Sequence, residues 1–99
     1  MKEGAIPVEV PEKEAEGIYS NIAMIIHSPS EFIIDFARIM PGVNKAKVFA
    51  RIIMTPQHAK MLYNALGENI KKFEEKFGEI KIFEQVEKKV GFIGEEKTK

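Results

Sequence analysis

The sequence contains no cysteine, no tryptophan and no hydrophobic run long enough to cross a membrane. Without cysteine, disulfide bonds and thiolate chemistry are excluded, and cysteine usage gives no indication of the redox compartment. The apolar stretches are shorter than the roughly 18 residues that a membrane helix requires. The N-terminal segment is acidic and interrupted by prolines, unlike a secretory signal peptide. These absences predict a cytoplasmic protein without membrane contact.

A net charge is also lacking, because 15 basic and 15 acidic residues cancel. The overall charge therefore favours neither nucleic acid nor a membrane surface as partner. The distribution of charge is uneven. Residues 1–17 carry two lysines against five glutamates, a local charge of −3, whereas no acidic residue lies between Asp35 and Glu68. Abundant Lys and Glu without Cys would suit a thermophile.

The length of 99 residues, 44% of them hydrophobic, predicts one small globular domain. A domain of this size buries only about two-thirds of its unfolded surface, so self-association would add to its core. Residues 1–17 alternate acidic residues with Pro7 and Pro11 and are predicted to form a flexible acidic arm. The domain itself is predicted to span residues 18–85, with a flexible tail over residues 86–99.

Three runs rich in β-branched and aromatic residues predict three strands joined by two turns. The predicted strands are Ile18–His27, Glu31–Met40 and Lys45–Met54. Thr55 and Pro56 are a favourable start for a helix, which is predicted to continue to about Phe77 and to stop at Gly78. The predicted fold is α+β, a three-stranded antiparallel sheet followed by one long C-terminal helix. A fourth strand, a second helix and a docked arm remain alternatives for residues 79–90.

An apolar stripe runs along this helix at spacings of three and four residues. Its members are Ala59, Leu62, Leu66, Ile70, Phe73 and Phe77. The stripe is expected to cover the core face of the sheet. Gly67 interrupts the helix at a cost of roughly 1 kcal/mol relative to Ala, which indicates close packing there.

Alternation along the strands assigns two faces to the sheet. The predicted core face holds Ile22, Met24, Ile26, Phe32, Ile34, Phe36, Val48, Ala50, Ile52 and Met54. On the opposite face, Asp35 is expected to lie near Arg51 and to form a cross-strand ion pair. That face mixes apolar, aromatic and charged residues, a composition typical of protein interfaces. Its predicted contact residues are Tyr19, Asn21, Asp35, Lys47, Phe49 and Arg51.

No catalytic, metal-binding or cofactor-binding constellation is predicted. The two histidines, His27 and His58, have no second ligand at metal-site spacing, and structural roles are expected for both. The residue types of a hydrolase triad occur at His27, Ser28 and Asp35, but their spacing carries no indication of catalysis. The glycines match neither a dinucleotide fingerprint nor a phosphate loop.

The basic second hairpin supports an alternative function. Tyr19, Lys47, Phe49 and Arg51 would together form a platform for stacking bases and binding phosphates of single-stranded nucleic acid. A competing interpretation is that the positive hairpin meets the acidic arm of the same or a partner chain.

Two strings of residues resemble a family of small prokaryotic proteins of unknown function. The first is the Tyr-x-Asn strand at 19–21 followed by His-Ser-Pro-x-Glu-Phe-x-x-Asp-Phe at 27–36, and the second is Thr-Pro-Gln-His-Ala-Lys at 55–60. The resemblance covers about residues 17–80 and implies a single domain there, without implying an activity. The order of strands and helix is also similar to single-strand-binding transcription cofactors and export chaperones, at the level of fold only.

These observations predict an uncharacterised, non-enzymatic binding or assembly module. It is expected to form a homodimer or higher oligomer through the outer face of its sheet. Single-stranded nucleic acid binding is the first alternative, and a small hydrolase centred on His27, Ser28 and Asp35 is the second. A foreign protein is the remaining candidate partner.

Overall fold

The computed structural model describes residues 6–82 and the backbone of residues 91–94. The chain order is one helical turn, three strands, a long helix and a fourth strand. The elements are α1 Glu12–Ala15, β1 Ile22–His27, β2 Phe32–Arg38, β3 Lys47–Met54, α2 Pro56–Phe77 and β4 Gly91–Gly94. The predicted α+β class, an antiparallel three-stranded sheet followed by a long helix, is confirmed. Residues 79–82 are irregular, and the rest of the alternatives for residues 79–90 lie outside the described residues.

The fourth strand lies at the edge of the sheet, whose order is β3-β2-β1-β4. β1 pairs with β2 and β2 with β3 in antiparallel fashion, but β4 runs parallel to β1. β4 lies within the range that the sequence assigns to the C-terminal tail. Because β3 and β4 run in the same direction, they are joined by a crossover connection that contains α2.

The register of β1 against β2 corrects the predicted sheet faces. Ile25 pairs with Ile34 and His27 with Phe32, and directly paired residues share a face. The Ile34 face therefore comprises Ala23, Ile25, His27, Phe32, Ile34, Phe36, Ala50, Ile52 and Met54. The Asp35 face comprises Ile22, Met24, Ile26, Ile33, Asp35, Ala37, Arg51 and Ile53. The prediction that joined the even-numbered residues of β1 to Phe32, Ile34 and Phe36 was wrong, because β1 is shifted by one residue.

A β-bulge in β3 makes a second correction. Phe36 pairs with Ala50 and Ala37 pairs with Val48, so Phe49 is the extra residue. Val48 consequently belongs to the Asp35 face and not to the predicted core face. Lys47 pairs with Arg38, which lies two residues after Phe36 and therefore on the Ile34 face. Lys47 and Arg51 consequently lie on opposite faces of the sheet.

The core of the described chain is small and lies within the sheet. Its buried apolar side chains are Ile22, Ala23, Ile34 and Ala37. Extensive contacts between described elements join strands only, and no side chain of α2 is buried. The expectation that the stripe of α2 covers the sheet of its own chain was therefore wrong.

Candidate interaction surfaces

Asn21 fastens the end of β2 to the start of β1. Its Nδ2 donates to the Ile39 carbonyl at 3.1 Å, and its Oδ1 accepts from the Ile39 amide at 3.0 Å. The amide side chain thus pairs with a backbone residue as a neighbouring strand would. Ser20 adds to this closure, because its Oγ lies 2.9 Å from the Ala37 carbonyl. Asn21, predicted as a contact residue, has these structural bonds.

The His-Ser-Pro segment forms the turn between β1 and β2. Ser28 Oγ accepts hydrogen bonds from the amides of Ser30 and Glu31 at 3.1 and 3.3 Å. The ring of His27 stacks on Phe32, with the centroids 5.4 Å apart. His27 and Asp35 lie on opposite faces of the sheet, so a catalytic triad of His27, Ser28 and Asp35 is not formed.

The predicted ion pair between Asp35 and Arg51 is present. Arg51 Nε donates to Asp35 Oδ1 at 2.7 Å and Nη2 donates to Oδ2 at 2.8 Å, a two-point contact between paired strand residues. The Arg51 side chain is 59% exposed and that of Asp35 only 13%. The hydrogen bonds from Arg51 hold the pKa of the Asp35 carboxyl below its ordinary value. The pair gives the Asp35 face a charged centre.

The bulge gathers two cations at one aromatic ring. The guanidinium of Arg38 lies 4.1 Å from the centroid of Phe49, and Lys47 Nζ lies 5.4 Å from it. Both distances are in the range of cation–π attraction. Arg38 was not among the predicted site residues, because the bulge that brings it to Phe49 is not visible in the residue pattern.

The start of α2 is fixed by a side-chain cap. Thr55 Oγ1 accepts from the His58 amide at 3.1 Å and lies 3.0 Å from His58 Nδ1. Thr55 is extended and is the single residue between β3 and α2. The predicted helix start is confirmed, and His58 has the expected structural role. The direction in which α2 leaves the sheet is consequently set by one capped residue.

The apolar stripe of α2 is exposed along its length. Leu66, near its middle, is 55% exposed, and Leu62, Ile70, Phe73 and Phe77 are also exposed. A Cβ added at Gly67 would meet no atom within 4 Å, so the close packing expected there does not occur within the described chain. The stripe, which was predicted to lie in the core, is an extended apolar surface exposed to water.

The six predicted contact residues do not form one surface. Asp35 and Arg51 are paired on the Asp35 face, while Lys47 and Phe49 lie with Arg38 at the bulge. Tyr19 precedes β1 and is exposed. The predicted nucleic-acid platform is accordingly divided between two faces of the sheet.

The described residues were predicted to contain no catalytic or metal site, and the following features bear on that prediction. A depression of about 320 Å³ beside α1 is lined by Lys13, Glu14, Glu16, Gly17 and Ile18, which lack a nucleophile with a base. Within residues 6–82 and 91–94, no three His, Asp or Glu side chains are placed to share a metal ion. No helix in these ranges has the length and hydropathy to cross a membrane.

A family model for proteins of unknown function, DUF3467, matches residues 1–82. The chain belongs to this family. No curated protein and no solved structure matches it. The family membership agrees with the resemblance to a small family of unknown function, and it brings no activity with it.

Proposed function

We propose that this member of the DUF3467 family is a non-enzymatic assembly and binding module that works as a homo-oligomer. The proposal is carried by the exposed stripe of α2, together with a sheet core of only four buried apolar side chains in the described chain. Fully burying one Leu, Ile or Phe side chain contributes about 1.5–3 kcal/mol. The large side chains of the stripe are 41–67% exposed, so covering the stripe would add apolar burial that the small sheet core does not supply.

The oligomer leaves other surfaces for a further partner. The Asp35–Arg51 pair and the exposed Tyr19 are polar or amphipathic groups of the kind found at interface rims. They are proposed as partner contacts once the apolar surfaces are covered. Asn21 would contribute indirectly, by holding the strand ends next to Tyr19.

The solution mass, measured by light scattering, tests the proposal. The native chain is expected at a multiple of 11.2 kDa, and Leu66→Glu is expected to lower the mass to that of a monomer. Met61→Glu is the matched control, because Met61 is also exposed but lies about 140° around the helix from Leu66. A native monomer, or equal effects of the two substitutions, would contradict the proposal.

Single-stranded nucleic acid binding remains the second candidate, now placed at the bulge. Arg38, Lys47 and Phe49 combine two cations with a partly exposed ring, which suits a phosphate beside a stacked base. A labelled oligonucleotide should then bind with an affinity that falls steeply with salt. Lys47→Ala should weaken this binding while Lys60→Ala, on α2, leaves it unchanged. An affinity that does not depend on salt concentration, or an equal loss of affinity in Lys47→Ala and Lys60→Ala, would exclude this site.

A further inference from the structure

Two apolar surfaces of the same chain are open to water. The stripe of α2 is exposed, and the Ile34 face is open along β3, where Ile52 is 41% exposed, although Ile34 and Ala23 at its centre are buried. A sheet face and a helix stripe of this kind are usually buried against each other as two layers. Each copy of the chain thus carries both halves of a layer contact that it does not itself make.

The Ile34 face suits a helix better than the Asp35 face does. In its three rows from Phe32 to Phe36, eight of nine residues are apolar with His27 at one corner, and the cations Arg38 and Lys47 form the next row at the end of the sheet. The middle row of the Asp35 face contains the ion pair of Asp35 and Arg51. Covering that pair with an apolar stripe would remove Arg51 from water without a new partner, which is costly.

The stripe is about as long as the strand it would cover. The stripe from Ala59 to Phe77 is about 27 Å long at 1.5 Å per residue. β3 has eight residues and is about 26 Å long at 3.3 Å per residue, of which the apolar rows at Ala50–Met54 take up about 16 Å. A reciprocal exchange would bury two stripes and two sheet faces, on the order of 1,500 Å² in total, which is near the size of a stable interface.

The spacing of the stripe suits a sheet as its partner. Its six residues take five steps over 18 positions, a period of 3.6, which is that of a straight helix on a globular core. The apolar residues at 59, 63, 66, 70, 73 and 77 also have heptad spacing, so a contact between two α2 helices is the outcome that a Leu66→Cys homodimer would reveal.

The connection to β3 favours a second copy over the sheet of the same chain. Thr55 alone joins the two elements, and its cap to the His58 amide holds α2 in a direction that leaves the stripe uncovered. Folding α2 back would require this capped junction to rearrange, whereas a second copy can receive the helix as it stands. A short connection of this kind is a known setting for exchange between protomers.

From these observations we infer that α2 of each copy lies across the Ile34 face of a second copy, in a reciprocal, two-fold dimer. This inference rests on the proposed assembly function and names the contact that makes it. In such a dimer the Asp35 face would be left outside, and Arg38 and Lys47 would lie at the end of the covered Ile34 face.

The absence of cysteine allows a direct test by engineered crosslinking. Leu66→Cys in one chain and Ile52→Cys in another are unfolded together, refolded and mildly oxidised. The matched control replaces Ile52→Cys by Ile53→Cys, its neighbour on the Asp35 face, which is 56% exposed. We expect at least tenfold more disulfide-linked heterodimer with Ile52→Cys than with Ile53→Cys.

Several outcomes would overturn the inference. Equal crosslinking with both strand positions, or a dominant Leu66→Cys homodimer, would place the stripe elsewhere in an oligomer that still exists by light scattering. A chain carrying both Leu66→Cys and Ile52→Cys that crosslinks within itself at monomer mass would show intrachain closure. A native monomer by light scattering would remove the proposed function together with the inference. If Leu66→Cys fails to refold by circular dichroism, Ile70→Cys probes the same stripe one turn further on.

Discussion

The start of the sheet is both hydrogen-bonded and buried, whereas the long helix is hydrogen-bonded but its apolar side chains are exposed. At the sheet, Asn21 and Ser20 complete the hydrogen bonds of the strand ends, and Ala37 beneath them is fully buried. Along α2, the backbone is capped at both ends by Thr55 and Gly78, but the apolar stripe is left in water. The comparison shows that both ends of α2 have their capping hydrogen bonds although its apolar stripe is not buried. The missing contribution is thus apolar contact, which a second copy can supply.

Removing the Asn21 side chain should disrupt the hydrogen-bonded start of the sheet and cause the largest loss of stability among these predictions. Asn21→Ala leaves the amide and carbonyl of Ile39 without their partners, and two such losses cost about 2–3 kcal/mol of unfolding free energy. The measurement is urea unfolding followed by circular dichroism, under conditions that keep the oligomeric state constant.

Asn69→Ala is the matched control on the helix. Asn69 Nδ2 donates to the Ala65 carbonyl on the surface of α2, and Ala has the higher helix propensity. Its effect should be within about 0.5 kcal/mol of zero. If Asn21→Ala costs no more than Asn69→Ala, then the side-chain pairing at the strand ends does not stabilise the sheet.

The turns, the helix cap and the cross-strand ion pair could be predicted from the sequence. The turn residues, the helix cap at Thr55 and the pairing of Asp35 with Arg51 follow from local chemistry and from the register of the second hairpin. The β1–β2 register could not be predicted in this way, because both sets of alternating residues in β1 are largely apolar. A four-residue loop closed by Ser28 sets that register, and a loop one residue longer would reverse it.

The prediction that the stripe of α2 covers its own sheet was wrong for a different reason. An apolar stripe predicts that a helix is covered, but not which copy of the chain covers it. The extra residue at Phe49 was also missed, since a bulge in a run of alternating residues leaves no compositional mark. With the bulge missed, Lys47 was placed on the face of Arg51, and Arg38 was not expected beside Phe49.

Gly67 sharpens the comparison with a smaller effect whose sign is informative. Gly67→Ala adds a Cβ that meets no atom within 4 Å in the described chain, and Ala favours the helix by about 0.5–1 kcal/mol. If nothing approaches this flank of α2 in the assembly, then the unfolding midpoint in urea should rise. A lower midpoint together with weaker association would instead place a partner's backbone against Gly67. Ala65→Gly, on the other flank, is the control and should lower the midpoint in either case.

The smallest effect is expected at the ion pair, where its dependence on pH matters more than its size. Because Arg51 lowers the folded pKa of Asp35 below its unfolded value, the pair stabilises the fold above the unfolded pKa of about 3.9. This contribution is lost as the pH falls through the folded pKa. The stability difference between the native chain and Asp35→Asn should therefore be constant near neutral pH and shrink below about pH 4.

Glu68→Gln, on the exposed flank of α2, is the control, because it removes a carboxylate without breaking this pair. If both variants show the same pH profile, the Asp35–Arg51 contact does not contribute to stability. A difference that appears only for Asp35 would show that the Asp35 face keeps its ion pair at its centre, as expected for the face that α2 does not cover.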